Sequence, residues 1–337
     1  MDSITALLEE YGAKTRDYVK TYIQKQPSSP YLHELISDYP SRGGKMMRPS
    51  ICIANARAFG AELDEILPFA GAIEILHNAL LIHDDIQDES LERRGQPTLH
   101  ALHGVPLAIN AGDAMLMLAL GPLLDRHASY GGYVAQQILA ITQRMARETA
   151  EGQALEIGWR EADHFDVNTA DYLTMVLKKT AWMATIWPAQ IGILIGSNGT
   201  VDPMNVARFG FFVGAAFQIQ DDLLNLQPDR NYGKEINGDL YEAKRTLMLI
   251  HLRDNCTPDE RFRLDSILAR QRHERHADDI EWMAELLHDR GSIDHARTVA
   301  RSLAGAALHE FSLAYGHLPD SADKRFIHDL IPWIFNH

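Results

Sequence analysis

An all-α fold is the prediction that this sequence supports most strongly, in the form of one large helical bundle of about ten or more helices. Apolar residues recur at the i, i+3, i+4 spacing of an amphipathic helix along most of the chain. The sequence contains no alternating strand pattern of useful length, and it does not sustain the strict heptads of a coiled coil. It also contains no internal repeat and no low-complexity linker. We therefore expect residues 1–337 to form a single domain.

The predicted helices follow one another along the chain. Ile66–Leu91 has the clearest helical period, with apolar residues at Ile66, Phe69, Ala70, Ile73, Leu76, Leu80 and Leu81. The same spacing predicts helices in Gly112–Leu124, Tyr133–Leu155, Tyr172–Ile195, Val206–Leu226, Ala243–Leu252, Thr257–Leu268, Asp279–Asp289 and Ser292–Ala314. Clusters of Gly or Pro predict the breaks, at Gln26–Pro30, Arg94–Pro97, Gly131-Gly132, Ser197–Pro203 and Pro228–Gly238. Several helices are apolar on more than one face, so we expect them in the interior of the bundle.

Charge and composition restrict the partners of the protein. The net charge of -14 and the pI of about 5.5 argue against nucleic acid, which requires a basic surface. A locally basic pocket or a bound metal can still hold a phosphorylated substrate. The two cysteines, Cys52 and Cys256, do not suggest a disulfide framework. The N-terminus lacks the basic residues of a signal peptide, and uninterrupted apolar stretches are shorter than the roughly 20 residues that span a bilayer. We expect a soluble, cytoplasmic protein without a transmembrane segment.

The first candidate site ends the apolar segment that begins at Ile66. It reads His83-Asp84-Asp85-Ile86-Gln87-Asp88-Glu89, in which Asp84 and Asp88 are one helical turn apart and share a face. Like charges at this spacing repel each other, and carboxylates at a helix C-terminus also oppose the helix dipole. A solvated acidic helix end is a common alternative. A bound divalent cation would offset the repulsion, so the pattern favours a metal site.

A second acidic cluster ends another apolar segment. Phe217-Gln218-Ile219-Gln220-Asp221-Asp222-Leu223-Leu224-Asn225 repeats the one-turn spacing between Asp221 and Asn225. Oxygen ligands without a nearby His–Cys set suit Mg²⁺ better than Zn²⁺. Because Mg²⁺ binds through a few carboxylates together with substrate phosphates, the two clusters together indicate a diphosphate substrate.

Basic residues next to Gly or Thr stand out in this acidic chain. They occur in Gly43-Gly44-Lys45-Met46-Met47-Arg48-Pro49, Arg93-Arg94-Gly95, Lys178-Lys179-Thr180, Gly233-Lys234 and Lys244-Arg245-Thr246. Arginine forks match phosphate oxygens bidentately, and lysine supplies a point charge. For each of these residues taken alone, an exposed surface cation is the simpler interpretation. As a set they predict contacts to phosphates.

With these motifs in place, the chain resembles the trans-isoprenyl diphosphate synthases, or polyprenyl synthetase family, over nearly its whole length. The matching segments occur in the family's order: Gly44–Pro49, His77 with Asp84–Asp88, Arg93-Arg94-Gly95, Ala111-Gly112-Asp113, Gly152-Gln153, Lys179-Thr180, Phe217-Gln218 with Asp221-Asp222, and Gly233-Lys234 to Lys244. A lone DDxxD would be weak support, whereas ordered motifs are specific. The chain is most similar to geranylgeranyl-diphosphate-synthase-like members.

The resemblance implies a homodimer of all-α subunits, each with a central cavity between the two acidic helices. Mg²⁺, at about three ions per site with diphosphate bound, would be held by Asp84, Asp85, Asp88, Asp221, Asp222 and Asn225. The implied contacts to the allylic diphosphate are Arg93, Lys179, Thr180, Gln218, Lys234 and Lys244. The implied contacts to isopentenyl diphosphate are Lys45, Arg48, His77 and Arg94. The residues expected to take part in catalysis are Asp84, Asp88, Lys179, Thr180, Gln218, Asp221 and Lys234.

In this family the allylic C–O bond ionises, and the double bond of isopentenyl diphosphate attacks the resulting cation. The growing chain runs along the first acidic helix, so Ala79, Leu80 and Leu76 are candidates for the floor that limits its length. The small Ala79 leaves room where farnesyl-producing members carry an aromatic ring, which favours a product of C20 or near. Packing of Ala79 against a neighbouring helix, with deeper residues setting the length, is an open alternative.

A few positions depart from the family pattern. Asn225 stands where most members have a third aspartate, which removes one negative charge from the second cluster. Met46 replaces an arginine, and Ala243 and Met248 replace a usual Gly and Pro.

The sequence leaves two alternatives open. A class I terpene cyclase also binds a metal-held diphosphate in an α bundle, and Asp221, Asn225 and Asp229 loosely imitate its second metal motif. Pro228 should disrupt the helix before Asp229, however, and a cyclase needs no second diphosphate site. The other alternative is a non-catalytic partner subunit of a prenyl synthase. Such a subunit would be expected to lose motif members, whereas this chain keeps Asp84, Asp85, Asp88, Asp221 and Asp222.

Overall fold

Helices make up nearly all of the structure, as the apolar periodicity predicts. The computed structural model describes residues 3–125, 130–162, 165–226 and 236–335. The first half contains α1 (Ser3–Gln24), α2 (His33–Ser41), α3 (Met47–Ala58), α4 (Leu63–Gln87), α5 (Leu99–His103), α6 (Val105–Leu118), α7 (Leu120–Asp125) and α8 (Gly131–Glu161). The second half contains α9 (Thr169–Val176), α10 (Trp187–Gly196), α11 (Ala207–Asn225), α12 (Gly238–Tyr241), α13 (Leu247–Asn255), α14 (Pro258–Leu268), α15 (Ala277–Asp289), α16 (Ser292–Tyr315) and α17 (Ala322–Trp333). The all-α prediction is confirmed.

Other local structures connect these helices. An antiparallel hairpin of β1 (Glu92–Arg93) and β2 (Gln96–Pro97) follows α4. A π-helical segment, Leu177–Ile186, joins α9 to α10, so the predicted helix Tyr172–Ile195 is divided into three parts. Some α-helices were not predicted individually. α5, α7 and α12 are too short to show a full apolar period, and α1, α2 and α3 precede Ile66, where the first predicted helix begins.

Helix α4 lies in the interior and carries the first acidic cluster. Its capping box pairs Glu62 and Glu65 at the N-terminal end, where the Glu62 amide donates to the Glu65 carboxylate at 3.0 Å. The helix then packs against α1, α3 and α6, which explains why it is apolar on several faces. It ends at Gln87, with Asp88 as the C-cap. The helix therefore presents Asp84, Asp85 and Asp88 at its C-terminal end.

Two glycines allow the helices around the second acidic cluster to approach one another closely. A Cβ atom on Gly152 of α8 would lie 2.2 Å from the backbone nitrogen of Lys179 in the π-helical segment. A Cβ atom on Gly214 of α11 would lie 2.8 Å from the Cα atom of Ala181. Neither distance is possible for a real side chain, so glycine is required at both contacts. This packing brings α8, the π-helical segment and α11 together around one cavity wall.

The buried apolar side chains form two clusters. One contains residues of α1, α3, α4, α6, α10 and α17, and the other contains residues of α9, α13, α14 and α15. Phe211 of α11 and Phe335 pack against both clusters. This continuity agrees with the single-domain assignment for residues 1–337, which stays a prediction. Cys52 and Cys256 are free thiols, as expected.

Within the described residues, two segments are long and apolar enough to cross a membrane by length and composition alone. One is Leu63–Gln87, the core helix α4, in which 72% of the most apolar 18-residue window is buried. The other is Val105–Asp125, in which only 39% of the corresponding window is buried. Exposed apolar side chains continue from this second segment onto α8, and we call this surface the α6–α8 apolar face: Val105, Leu107, Ile109, Met117, Leu124, Tyr133 and Leu139.

Candidate active site

The two acidic clusters are connected through a short series of polar side chains. Lys179, in the π-helical segment, lies 3.6 Å from Asp84 in the first cluster, and its neighbour Thr180 bonds to Gln218 beside the second. Lys244 pairs with Asp88 at 3.1 Å and with Asp239 at 3.5 Å. The structure therefore brings together residues from α4, the π-helical segment, α11 and the α12–α13 connection, as the sequence motifs predict.

Asp84 and Asp88 form the first acidic wall. Gln153 of α8 donates a hydrogen bond from its amide nitrogen to Asp84 Oδ1 at 3.0 Å. Arg160, two turns further along α8, donates to Asp88 Oδ1 at 3.1 Å and to the backbone carbonyl of Gln87 at 3.0 Å. The carboxylates repel each other on α4, and α8 supplies the donors that compensate.

Lys179 has two acidic partners in this wall, Asp84 and Glu156. Burial disfavours its charge, but the nearby carboxylates of Glu156 and Asp84 outweigh this effect and raise the pKa of Lys179. Lys244 is placed similarly: burial opposes its charge, and Asp88 and Glu242 raise its pKa well above the usual value. Both lysines are therefore charged at neutral pH and available to bind phosphate oxygens.

A chain of hydrogen bonds runs through the second acidic wall. The Thr180 hydroxyl donates to Gln218 Oε1 at 2.7 Å, and Gln218 Nε2 donates to Asp222 Oδ1 at 2.7 Å. The Tyr172 hydroxyl donates to Asp222 Oδ2 at 2.8 Å. Burial, with Asp239 nearby, raises the pKa of Asp222 to about 8. These hydrogen bonds fix the Gln218 amide with its oxygen toward Thr180. Asp221, three residues after Gln218, is partly buried.

Asn225 has a local structural partner in addition to its predicted metal role. Its side-chain oxygen accepts a hydrogen bond from the Asp239 amide at 3.0 Å, and its backbone carbonyl accepts one from Asn237 at 2.9 Å. These bonds tie the end of α11 to the start of α12. Ala243, which replaces a usual Gly, has a φ of +54°, the left-handed region in which Gly is favoured.

Asp85 and Arg93 point away from the other acidic side chains. Asp85 is fully buried, and Arg93 donates from Nε to its two oxygens at 2.9 and 3.2 Å, with a further bond from the guanidinium. The Tyr39 hydroxyl donates to Asp85 Oδ2 at 2.5 Å. The metal role expected for Asp85 and the diphosphate role expected for Arg93 stay predictions, and in this structure the two residues bind each other.

Arg48 and Arg94 both lie near His77, which precedes Asp84 by two turns on the same face of α4. Their role in a second phosphate site stays a prediction. Burial lowers the pKa of Arg48 to about 10, and burial together with Arg48 and Arg94 lowers the pKa of His77 well below its usual value. Among the described atoms, Arg48 Nε has no hydrogen-bond partner. Lys45 is exposed and lies over the Trp333 ring, 5.6 Å from its centroid. The buried carboxylate of Glu74 opposes part of the charge of Arg48 and Arg94, so a diphosphate here would meet two guanidinium groups beside one acidic neighbour.

The candidate chain-length residues lie on α4 before the acidic end. Ala79 is fully buried, Leu76 is 7% exposed and Leu80 is partly buried. Lys234, predicted to contact the allylic diphosphate, lies outside the described residues, and so do Pro228 and Asp229 of the cyclase alternative.

Sequence reasoning missed Glu156 and Arg160, and it did not assign a role to Tyr39 or Tyr172. Glu156 and Arg160 follow the Gly152-Gln153 motif on α8 at spacings of three and seven from Gln153, which places the three side chains on one helix face. That spacing could have identified them. The tyrosines belong to other helices, so only the fold reveals their contacts.

The residues present fit a magnesium site. Asp84, Asp88 and Asp221 offer carboxylate oxygens, which are the ligands that Mg²⁺ prefers. Within the described ranges, no three His, Cys, Asp or Glu side chains form a ready-made metal cage. An incomplete cage agrees with Mg²⁺ chemistry, because this ion usually takes several of its ligands from water and substrate phosphates.

Comparisons with known proteins agree with this arrangement. The family model described as polyprenyl synthetase matches residues 29–287. The chain is 31% identical to the geranylgeranyl pyrophosphate synthase of Geoglobus acetivorans, over 98% of each chain. It is 34% identical to the geranylfarnesyl diphosphate synthase of Natronomonas pharaonis, over 87% of this chain and 86% of the relative. The chain belongs to the polyprenyl synthetase family.

A solved structure shares the fold of this polyprenyl synthetase. The crystal structure of geranylgeranyl pyrophosphate synthetase from Pyrococcus horikoshii aligns with a TM-score of 0.86 at 28% identity, over 99% of this chain and 98% of that chain. The protein is therefore a trans-isoprenyl diphosphate synthase, a prenyltransferase, as the motifs predicted. No comparison favours the terpene cyclase or the non-catalytic partner subunit.

Proposed function

We propose that this synthase condenses isopentenyl diphosphate with an allylic diphosphate, in a Mg²⁺-dependent reaction, to a trans-polyprenyl diphosphate of about C20–C25. The observation that carries the proposal is a pair of half-buried lysines held against the first acidic helix end, one of which also pairs with Asp239 beside the second. Lys179 lies 3.6 Å from Asp84, and Lys244 lies 3.1 Å from Asp88. Such an arrangement suits a diphosphate with its metal ions, because the cations can move from carboxylate to phosphate partners when substrate enters.

The allylic diphosphate would lie between the two acidic walls. Asp84, Asp88 and Asp221 would hold Mg²⁺, whose positive charge makes pyrophosphate a better leaving group. Lys179 and Lys244 would contact the phosphate oxygens and stabilise the negative charge that develops on them. As the C–O bond breaks, its electron pair leaves with pyrophosphate and an allylic carbocation remains.

Isopentenyl diphosphate would bind next to Arg48, His77 and Arg94. Arg48 is suited to this role because the part of the chain that is described offers its Nε atom no hydrogen-bond partner. A diphosphate oxygen would supply that acceptor. The π electrons of isopentenyl diphosphate then form the new C–C bond, and a proton leaves the adjacent carbon to restore the double bond. The released pyrophosphate is the nearest base in this scheme.

Thr180 and Gln218 would stabilise the carbocation through their side-chain oxygen atoms. The hydrogen-bond chain from Asp222 keeps the Gln218 amide nitrogen away from Thr180 and its oxygen toward it. Two oxygen atoms from these side chains then lie together next to Lys179, where positive charge would develop on the allylic carbon. Apolar packing around the cavity would keep water from quenching the cation.

Residues of α4 would limit the length of the product. The small, fully buried Ala79 precedes Asp84 by five residues, about 7.5 Å along the helix. The first large aromatic residue back along α4 is Phe69, about 22 Å from Asp84, and its ring packs edge-on against Tyr130 at 5.5 Å between centroids. This length, together with relatives named as geranylgeranyl and geranylfarnesyl synthases, supports C20 to C25.

We also infer a soluble, cytoplasmic homodimer. The α6–α8 apolar face exposes large apolar side chains on three successive helices, and Leu124 of α7 and Leu139 of α8 line one pocket. A second copy of the chain would cover it through a symmetric interface. The same burial explains why Val105–Asp125 can be strongly apolar without crossing a membrane.

The proposal is tested by mass analysis of products formed from purified protein, Mg²⁺, isopentenyl diphosphate and each of the C5, C10 and C15 allylic diphosphates. We expect elongated diphosphates that end at C20 to C25 and that disappear in Asp84→Ala. A cyclised hydrocarbon formed without isopentenyl diphosphate would instead identify a cyclase. Activity that requires an added related synthase would identify a partner subunit.

A further inference from the structure

Each acidic cluster contains two consecutive aspartates that face in different directions. In the first cluster the Asp84 side chain is 28% exposed, whereas Asp85 is 0% exposed. In the second cluster Asp221 is partly buried, whereas Asp222 is only 6% exposed. Successive residues on a helix point about 100° apart, so only one member of each pair can face the diphosphate. The second member of each pair is buried behind it.

A buried tyrosine from another helix holds the second aspartate in both clusters. Tyr39 of α2 is 1% exposed and donates to Asp85 Oδ2 at 2.5 Å. Tyr172 of α9 is 1% exposed and donates to Asp222 Oδ2 at 2.8 Å. The two tyrosines are distant in sequence and lie on different sides of the bundle, yet each makes the same contact at the end of an acidic helix.

The remaining oxygen of each buried aspartate is also occupied. Arg93 donates from Nε to Asp85 Oδ1 at 2.9 Å, and Gln218 donates to Asp222 Oδ1 at 2.7 Å. Asp85 and Asp222 therefore have both carboxylate oxygens engaged by protein donors. Their geometry is that of anchors rather than of metal ligands.

The chemistry of the tyrosine explains why it suits this position. A carboxylate at the C-terminal end of a helix opposes the helix dipole and needs a hydrogen-bond donor. Arg93 already neutralises Asp85, and a further cation at either aspartate would compensate charge that the neighbouring metal ligands need. A phenol donates a hydrogen bond without adding positive charge, and its rigid ring fixes the rotation of the helix end.

We propose that Tyr39 and Tyr172 are positioning residues that orient the two metal-binding helix ends by holding Asp85 and Asp222. Asp84 and Asp88 on α4, and Asp221 on α11, then face the diphosphate. This inference rests on the proposed metal-dependent function. It predicts that loss of either hydroxyl weakens metal binding although neither tyrosine touches metal or substrate, as outer partners do at other metal sites.

The chain contains a matched control for the first tyrosine. Tyr11 is fully buried, donates to Asp323, and accepts a hydrogen bond from Arg57 at 3.1 Å. This Tyr–Asp–Arg group reproduces the composition of Tyr39 with Asp85 and Arg93 and the burial of the tyrosine, although Arg57 is more exposed than Arg93, and it lies between α1, α3 and α17. Tyr11→Phe should therefore lose comparable stability without an effect on metal binding.

The test compares Tyr39→Phe, Tyr172→Phe and Tyr11→Phe with the unmodified protein. Electron paramagnetic resonance would measure the dissociation constant of Mn²⁺ in the presence of inorganic pyrophosphate, and product assays would give the half-saturating Mg²⁺ concentration. We expect both quantities to rise about tenfold in Tyr39→Phe and Tyr172→Phe, and less than twofold in Tyr11→Phe. Thermal unfolding should report similar losses in Tyr39→Phe and Tyr11→Phe.

A further variant keeps the test decisive if Tyr39→Phe fails to fold. Incorporation of 4-aminophenylalanine at position 39 retains a hydrogen-bond donor and should keep metal binding within about twofold of normal. Unchanged Mn²⁺ binding in both phenylalanine variants, or an equal loss in Tyr11→Phe, would overturn the inference. Absence of elongation by the unmodified protein, with Mn²⁺–pyrophosphate binding still sensitive to both tyrosines, would instead overturn the proposed function alone.

Discussion

The ammonium group of Lys179 lies 3.6 Å from Asp84 Oδ1 and at the same time pairs with Glu156. This contact joins the π-helical segment to α4 and α8. The proposed metal ion and the lysine would therefore compete for the charge of the same carboxylate. When a diphosphate is bound, the phosphate oxygens can satisfy both cations.

This competition predicts opposite effects of Lys179→Gln on two binding equilibria. Mn²⁺ alone should bind up to about fivefold more tightly, because the competing ammonium is gone. Inorganic pyrophosphate in the presence of Mn²⁺ should bind more weakly, because one phosphate contact is lost. Titration followed by electron paramagnetic resonance, with and without pyrophosphate, measures both. Weaker Mn²⁺ binding in the absence of pyrophosphate would contradict the competition.

Arg48→Gln tests the second diphosphate site. The buried guanidinium has a pKa lowered to about 10 and gains a favourable partner when an anion binds. We expect the KM for isopentenyl diphosphate to rise by roughly 10- to 100-fold, the effect of losing a charged hydrogen bond, with a smaller change in the KM for the allylic substrate. The exposed Arg208, which pairs with Glu310, supplies a control: Arg208→Gln should leave both constants unchanged. Equal increases in the two KM values would argue against separate sites.

The sequence predicted α4 and its acidic end because local patterns determine both. The apolar period defines the helix, and the four-residue spacing places Asp84 and Asp88 on one face. The direction of Asp85 was not predictable in this way, since its partner Tyr39 lies 46 residues earlier and on another helix.

The π-helical segment and the exposed apolar face also required the structure. The π-helical segment lies where Gly152 of α8 and Gly214 of α11 approach its backbone, and no local period records such tertiary contacts. The apolar residues of Val105–Asp125 fit a buried helix equally well in the sequence. Only the fold shows that Val105, Leu107, Ile109, Met117 and Leu124 in this segment are exposed.

His77 should make stability depend on pH. Burial, together with Arg48 and Arg94, lowers its pKa well below 6.5, so the unfolded chain binds a proton here that the folded protein rejects. The contribution of the neutral His77 to the free energy of unfolding is complete above pH 6.5. It is lost as the pH falls through the pKa of His77 in the folded protein, at no more than about 1.4 kcal/mol per pH unit. Urea unfolding between pH 7.5 and 5 should show a shallower loss in His77→Gln. An identical slope in both proteins would exclude this role for His77.

The α6–α8 apolar face should mediate dimerisation. Met117 is 68% exposed within one chain, and a symmetric interface would bury it twice. We expect Met117→Lys to raise the dimer dissociation constant at least about 100-fold, because two unpaired charges would be buried. Phe262 on α14 is 80% exposed and lies off this face, so Phe262→Lys should stay dimeric. Analytical ultracentrifugation distinguishes a 37.9 kDa monomer from a species of twice that mass, and a monomeric unmodified protein would contradict the prediction.

Ala79→Phe tests whether α4 limits the product. A phenyl ring at this fully buried position would project from α4 about 7.5 Å before Asp84 and shorten the space for the growing chain. We expect the main product to shift to C15, with a loss of stability of about 1–3 kcal/mol from overpacking. Ala79→Ser keeps the size and should keep the product length, while Leu76→Ala, one turn deeper, should lengthen it. Mass analysis of the products distinguishes the outcomes. An unchanged C20–C25 product in Ala79→Phe would show that other residues limit the product length. Opposite shifts in Ala79→Phe and Leu76→Ala would show that the growing isoprenoid chain lies along this face of α4.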